Sequence, residues 1–317
     1  MRVRQRRRLA AVALAALAAG PAATIAPPVR PTLPRSTLAV REGGAWRTWW
    51  RSDEAPREWG PEAPLARAIA WRPLAPGFRW GRAELAGKGE AWRTTLIVVQ
   101  VDPHRARLAL DTAFTGKLRR AWTIDRAPVG ARVALNAGQF VADLPWGWVV
   151  LDGRQYLAPG RGPLVSTLTI DTTGALRWWH GAPPPGAGGV RWAFQSYPTL
   201  LAAGRVPAPL MADTGGVDVA HRDARLAIGT RADGTLLIAM TRFGAMGESL
   251  GFVPFGLTTP EMAAVMGALG VNDGALLDGG ISAQLLVREP GGEGARFPGI
   301  RRVPLGLLIF PDSAATP

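Results

Sequence analysis

Residues Thr258–Gly280 read TTPEMAAVMGALGVNDGALLDGG, a stretch that moves from helix to strand grammar within a short span. Thr258 or Thr259 suits a helix cap, Pro260 fits the first turn, and Glu261 stands where a capping-box acid belongs. Met262, Val265, Met266 and Leu269 recur at i, i+3, i+4 and i+7, which predicts a helix over Pro260–Leu269 with one buried stripe. Gly270 ends it. Asn272-Asp273-Gly274 reads as a turn, Ala275-Leu276-Leu277 as a short buried strand, and Asp278-Gly279-Gly280 as the loop that follows. A carboxylate is thus delivered at the end of a core strand. Rigid strand ends position catalytic acids, and glycines let a ligand approach backbone N–H groups.

Most of the preceding chain has β character. Alternating or β-branched runs occur at 94–102, 107–111, 132–135, 148–151, 164–171, 175–179, 225–230 and 235–241, with a last one at 305–310. Asp152-Gly153, Thr173-Gly174 and Asp233-Gly234 supply turns, and Asp102-Pro103 reads as a hairpin-like break. No repeat of fixed period is present. The expected fold class is α+β, a β-rich mixed-sheet domain with a few helices.

Residues 1–8 hold five arginines and no acid, and residues 9–19 are an unbroken run of Ala, Val and Leu. This pattern predicts export, with residues 1–26 as a signal peptide or an N-terminal anchor, and membrane contact through that segment only. Residues 27–64 are rich in Pro, Arg and Trp and read as a linker and irregular arm, 65–312 as the main domain, and 313–317 as a tail. Trp46, Trp49, Trp50 and Trp59 crowd the arm, with Trp71, Trp80 and Trp92 beyond it. Packing of the arm onto the domain is favoured over a sugar-stacking platform.

The chain of 317 residues carries 37 Lys and Arg against 24 Asp and Glu, a formal charge of +13, which invites a nucleic-acid reading. Against it stand the export pattern and the near-absence of lysine, the basic charge being almost wholly arginine in an Ala-, Gly- and Pro-rich chain. No nucleic-acid partner is expected. The absence of cysteine excludes disulfides, thiol catalysis and thiolate metal sites. Three scattered histidines give no metal-binding spacing, so no cofactor is expected; acid-rich loops leave a divalent cation such as calcium open, without EF-hand spacing.

Several junctions place polar groups where chemistry could occur. Asn136-Ala137-Gly138-Gln139-Phe140 follows an apolar strand, and its amide could bind a hydroxyl, orient Asp278 or cap a turn. Gln195-Ser196-Tyr197-Pro198 carries a serine without a nucleophile-elbow pattern, which disfavours serine-hydrolase chemistry. Arg225 opens a strand four residues after His221, and arginine can clamp phosphate through two parallel bonds.

In order and spacing, these blocks together with Arg225-Leu226-Ala227-Ile228-Gly229, Gly256–Glu261 and Leu277-Asp278-Gly279-Gly280-Ile281-Ser282 resemble the phosphodiester glycosidase family over residues 92–311. The family's usual Asn-Gly-Gly-Phe-Phe, Arg-Thr-Ala-Ile-Gly and Asp-Gly-Gly-Gly-Ser-Ser are altered here. Thr241-Arg242-Phe243 stands where relatives often show Asp-Gly-Arg. The resemblance implies hydrolysis of a sugar C1–O–phosphate bond. A phosphate leaving group needs less protonation than an alkoxide, so one carboxylate plus positive charge and N–H donors would serve. It implies Asp278 as base or nucleophile and Arg225 as phosphate clamp, with His221 and Glu248 as further titratable groups. Asn136, Gly138, Ser196, Gly279, Gly280 and Ser282 would contact substrate. The expected partner is a carbohydrate phosphodiester or an anionic cell-envelope glycan, and the expected location is periplasmic or extracellular. The alternative is a non-catalytic envelope- or glycan-binding protein on the same fold.

Overall fold

A computed structural model describes residues 35–52, 63–87, 93–113, 121–183, 186, 188–211, 216–244, 255–291 and 294–312. Its largest sheet has nine strands, in the spatial order 199–201, 271–276, 226–231, 236–243, 94–101, 78–87, 37–42 and 45–51, with 70–75 also pairing onto 78–87. A second sheet orders 294–297, 285–288, 133–136, 305–311 and 106–112, and a third orders 154–157, 149–151, 190–196, 166–171 and 176–180. Strands 140–141 and 144–145 form a small separate hairpin.

Every strand pairing among the described residues is antiparallel. The β-rich expectation therefore holds, whereas the mixed sheet is corrected. Tight turns at Gly153, Gly174 and Gly234, all with positive φ, return the chain at once; a parallel pair would need a long crossover instead. The Asp102-Pro103 break is no hairpin. Asp102 caps a single 3₁₀ turn by accepting from the His104 N–H at 3.0 Å, and the chain passes from the large sheet into the second.

The predicted helix is Thr259–Ala268 with Thr258 as N-cap and a complete capping box. It is buried on all sides rather than along one stripe. One flank packs on the large sheet, and the same apolar cluster includes Leu38, Val40, Trp49, Leu65 and Ile69 from the N-terminal region. The following strand begins at Val271, so Asn272-Asp273-Gly274 is extended and not a turn. Its Asp273 carboxylate has a good reason to stay in line: it meets His180 Nε2 and the Ala203 N–H, each at 3.0 Å.

From Thr37 to Arg51 the irregular arm is also corrected. Two strands meet at Gly43-Gly44, whose φ values of 58° and 83° suit a tight hairpin turn. The hairpin extends the large sheet through pairing with 78–87. Trp49 and Trp80 are buried, and Trp50 and Trp71 pack against a core, as the packing reading expects; Trp46 stays half exposed. Trp59 and Trp92 lie outside the described residues. No helix among the described residues is long and apolar enough to cross a membrane.

The opposite face of the large sheet, with Trp80, Ile97, Val99, Ile228 and Met240, packs on Val133, Leu135, Leu285 and Leu307 of the second sheet and Phe194 and Leu168 of the third. The polar cluster described next stands at one end of this interior.

Glu261 locks helix, loop and N-terminal segment together. Its wholly buried carboxylate accepts from both Arg222 terminal nitrogens at 2.7 Å, from the Thr258 N–H at 2.9 Å, and from the Ser36 hydroxyl. Removing one partner of such a buried pair leaves the other uncompensated. Glu261→Ala should cost about 3–5 kcal/mol in a urea unfolding experiment, with Glu261→Gln costing less.

Candidate active site

Asp278 follows the strand Val271–Leu276, and its backbone is held from two sides. Its N–H donates to Gly138 O at 2.9 Å, and its carbonyl accepts from Asn136 Nδ2 at 2.9 Å. Asn136 Oδ1 in turn accepts from the Gln284 N–H at 3.0 Å. The Asn136 amide thus spans the loop that carries Asp278, and it is a positioning group in this structure.

The two glycines are explained by a close approach of chain to chain. The Gly280 N–H donates to Ala224 O at 2.7 Å. A Cβ on Gly279 would stand 2.6 Å from Ala224 O, and one on Gly280 would stand 2.7 Å from Asp223 Oδ2. No side chain fits either place, and Gly280 also has φ +57°. Gly138 serves a similar purpose, with φ +69° and its Cβ position 2.7 Å from Gln195 O.

This approach brings forward a residue that the sequence reading passed over. Asp223 lies against Gly280, its Oδ1 accepts from the Ala224 N–H at 2.8 Å, and its Oδ2 is 3.7 Å from His221 Nε2. Burial raises the Asp223 pKa, opposed by Arg225, the Ala224 N–H and His221. Asp278 is raised as well, first by burial and further by the like charge of Asp223, while a Ser282 hydrogen bond and the charge of Arg301 oppose the shift. The site therefore contains a pair of carboxyls that repel one another. The available signal was an acid two residues before Arg225, at the mouth of an apolar strand.

Arg225 is not placed as a free clamp. Its Nε donates to Leu257 O at 2.8 Å and its Nη2 to His221 O at 2.5 Å. It sits at the strand position alternate to Leu226, in phase with Ala227, which packs on the helix side. It shapes the 221–225 segment and supplies positive charge to Asp223. A different cation faces Asp278. Arg301 is held by Ala142 O at 3.3 Å and by the Phe140 ring, whose centroid is 4.8 Å from its guanidinium carbon.

The remaining expected residues divide in two. Ser282 is buried and bonded to the Asp278 carboxylate, and His221 stands exposed beside Asp223. Ser196, only 2% exposed, donates its hydroxyl to Leu276 O, so it braces the strand rather than facing a ligand. Glu248 lies outside the described residues. Among the described residues no three His, Asp or Glu side chains gather as metal ligands.

A family model described as phosphodiester glycosidase matches residues 129–310, more than half of the chain. The chain belongs to the phosphodiester glycosidase family. Among solved structures, the catalytic domain of zebrafish N-acetylglucosamine-1-phosphodiester alpha-N-acetylglucosaminidase, auto-inhibited by its pro-peptide, is similar at 15% identity and TM-score 0.53, over 81% of this chain and 87% of that one. A hypothetical protein from Synechocystis is similar at 14% identity and TM-score 0.49, over 77% of this chain and 64% of that one. Comparison with curated proteins gives no match. At 15% identity the zebrafish structure shows a shared fold, and membership rests on the family model.

The carboxyl pair makes a stability prediction. A raised folded-state pKa means that ionising the acid opposes folding: the penalty is absent below the ordinary aspartate value of about 3.9 and fully present above the raised value. Asp278→Asn and Asp223→Asn should therefore melt at or above the wild-type temperature near pH 7, and the difference should vanish as pH falls below about 4. Scanning calorimetry across that range measures it.

Proposed function

We propose that the chain hydrolyses sugar-1-phosphodiesters, releasing a free sugar and a phosphomonoester. The observation that carries this reading is the half-buried carboxyl pair of Asp278 and Asp223 with the cation Arg301 beside it, in a chain of the phosphodiester glycosidase family. The zebrafish relative is named for action on an N-acetylglucosamine-1-phosphodiester, and its shared fold supports the same substrate class here.

In this reading Asp278 either takes the proton of a water molecule as its oxygen bonds to C1, or itself attacks C1 to form a glycosyl ester that water then hydrolyses, freeing the sugar and the carboxylate. The C1–O bond to phosphate breaks in the same displacement, and the electron pair leaves with the phosphate as a monoester anion. That leaving group is already stable, so the site has more need of positive charge than of a strong general acid. Arg301 supplies the charge, Ser282 holds the Asp278 carboxylate, and Asn136 fixes its backbone. Burial, with a smaller contribution from the like charge of Asp223, raises the basicity of Asp278, which suits a general base. Arg225 and His221 hold Asp223 in place.

The basic leader at residues 1–26 supports an exported protein acting on an envelope or extracellular phosphodiester. The non-catalytic glycan-binding reading has one observation in its favour. Half-exposed Trp46 lines a cavity of about 460 Å³ with Arg41, Glu84, Arg93 and Thr95, at the same end of the large sheet as Asp278.

Incubating the full chain with a panel of sugar-1-phosphodiesters and measuring released sugar tests the proposal. Asp278→Asn should fold and lose about 10²–10⁴-fold in turnover. An Asn variant that works at wild-type rate would remove Asp278 from the chemistry, and glycan binding without turnover by the wild type would favour the alternative. The pH profile gives a second test. Protonation silences a base, so activity should fall with acid through a pKa above the ordinary aspartate range. Ser282→Ala, which removes a bond to the charged form, should move that limb to higher pH.

A further inference from the structure

Arg242 is only 7% exposed at the end of the strand Leu236–Phe243. It lies in phase with Met240 and Ile238, which face the interior shared with the second and third sheets. Its Nη2 donates to Pro298 O at 2.6 Å, and its other guanidinium nitrogens make no hydrogen bond among the described residues. Among the described residues no carboxylate forms an ion pair with it, and burial pushes its pKa down to about 10. The register shows why. Arg242 pairs with Thr95, and Thr95 with Glu84, so the acid in this row stands two strands away, roughly 9–10 Å by strand spacing. That acid is already engaged by Arg41 at 3.0 Å.

A buried cation without a counter-charge is expensive, and a fold keeps one at a cost unless an anion completes it. The surroundings lead to the Asp278 site. Pro298 precedes Gly299, whose Cβ position lies 3.0 Å from Ser282 O and 3.1 Å from Ile281 O, in the loop that follows Asp278. Thr241, the preceding residue on the same strand, accepts at Oγ1 from the Arg225 N–H at 2.8 Å and so ties the strand end to the Arg225 segment. A second cation, Arg82, lies 5.1 Å from the Phe297 ring, one residue before Pro298. Arg242 and Arg82 occupy the two strands flanking 94–101 and add positive potential on one face of the sheet.

We propose that Arg242 is an anion-binding residue beside the loop that follows Asp278, and that the anion it takes is the phosphate group of the substrate. The identity of the anion rests on the phosphodiester reading above; the existence of the anion site does not. Arginine offers planar, charge-assisted donors to phosphate, and Pro298 O fixes the plane by holding one of them.

The test uses the full chain with inorganic phosphate as the probe, read by calorimetric binding and by melting temperature. Wild-type protein should bind phosphate and melt higher in its presence. Arg242→Gln should bind it roughly 10- to 100-fold more weakly, lose the melting response, and without phosphate melt no lower than wild type, because it removes an uncompensated buried charge. Arg242→Lys should keep part of the binding. Three results would overturn the proposal: no phosphate response in the wild type, unchanged binding in Arg242→Gln, or a phosphate-free melting temperature that drops in Arg242→Gln and recovers in Arg242→Lys, which would make Arg242 a structural tether to Pro298. Loss of phosphate binding in Arg242→Gln, with no phosphodiester hydrolysed by the wild type, would leave the anion site standing and overturn the proposed reaction instead. Hydrolysis with an unchanged KM in Arg242→Gln would leave the reaction standing and overturn the assignment of the substrate phosphate to Arg242.

Discussion

Two backbones meet without side chains between them where Gly279-Gly280 lies on Asp223-Ala224, and the site depends on that contact. The 2.7 Å bond from Gly280 N–H to Ala224 O joins the loop leaving one strand to the segment entering its neighbour. Both segments carry an aspartate, so the contact that closes the sheet end also forces two carboxyls into one poorly solvated place. Their raised pKa values follow from the packing. The surrounding polar groups are mostly occupied in maintaining it: Asn136 and Gly138 hold Asp278, while Arg225 and His221 hold Asp223.

The division of labour among the arginines follows from strand parity. Arg225 and Arg242 stand at the ends of adjacent paired strands, yet they face opposite sides of the sheet. Arg225 is in phase with Ala227 and closes a loop over the helix side, whereas Arg242 is in phase with Met240 and faces the interior where the second sheet ends. Motif matching alone gives arginine one role at both places. The pleat separates a residue that shapes the acid's loop from one that carries unspent charge.

Much of the molecule was legible in the sequence, for physical reasons that also mark the boundary. The capping box at Thr258 and Glu261, the β-branched run beginning at Thr94 and the turns at Gly153, Gly174 and Gly234 are local signals, and they appear where local chemistry puts them. What failed was long-range. The capping box announces the helix start but says nothing of the distant segments that cover the helix, so one stripe was expected where every face is buried. The hairpin at Gly43-Gly44 hid within a Pro- and Arg-rich stretch because its strands gain their apolar partners from elsewhere in the chain. Asp278 was visible as an acid at a strand end. Asp223 was not, since its importance comes from a contact with a glycine far along the chain.

The pairing order of the large sheet governs how the protein can be assembled. Thr94–Val101 has Phe78–Gly87 on one side, available as soon as both are synthesised, but its other neighbour is Leu236–Phe243. Until that distant segment emerges, a mostly apolar strand presents an open edge to anything that can pair with it. Such a topology folds late and slowly, because loop closure must be achieved before the contacts repay it. Folding becomes productive only once the last strands have arrived.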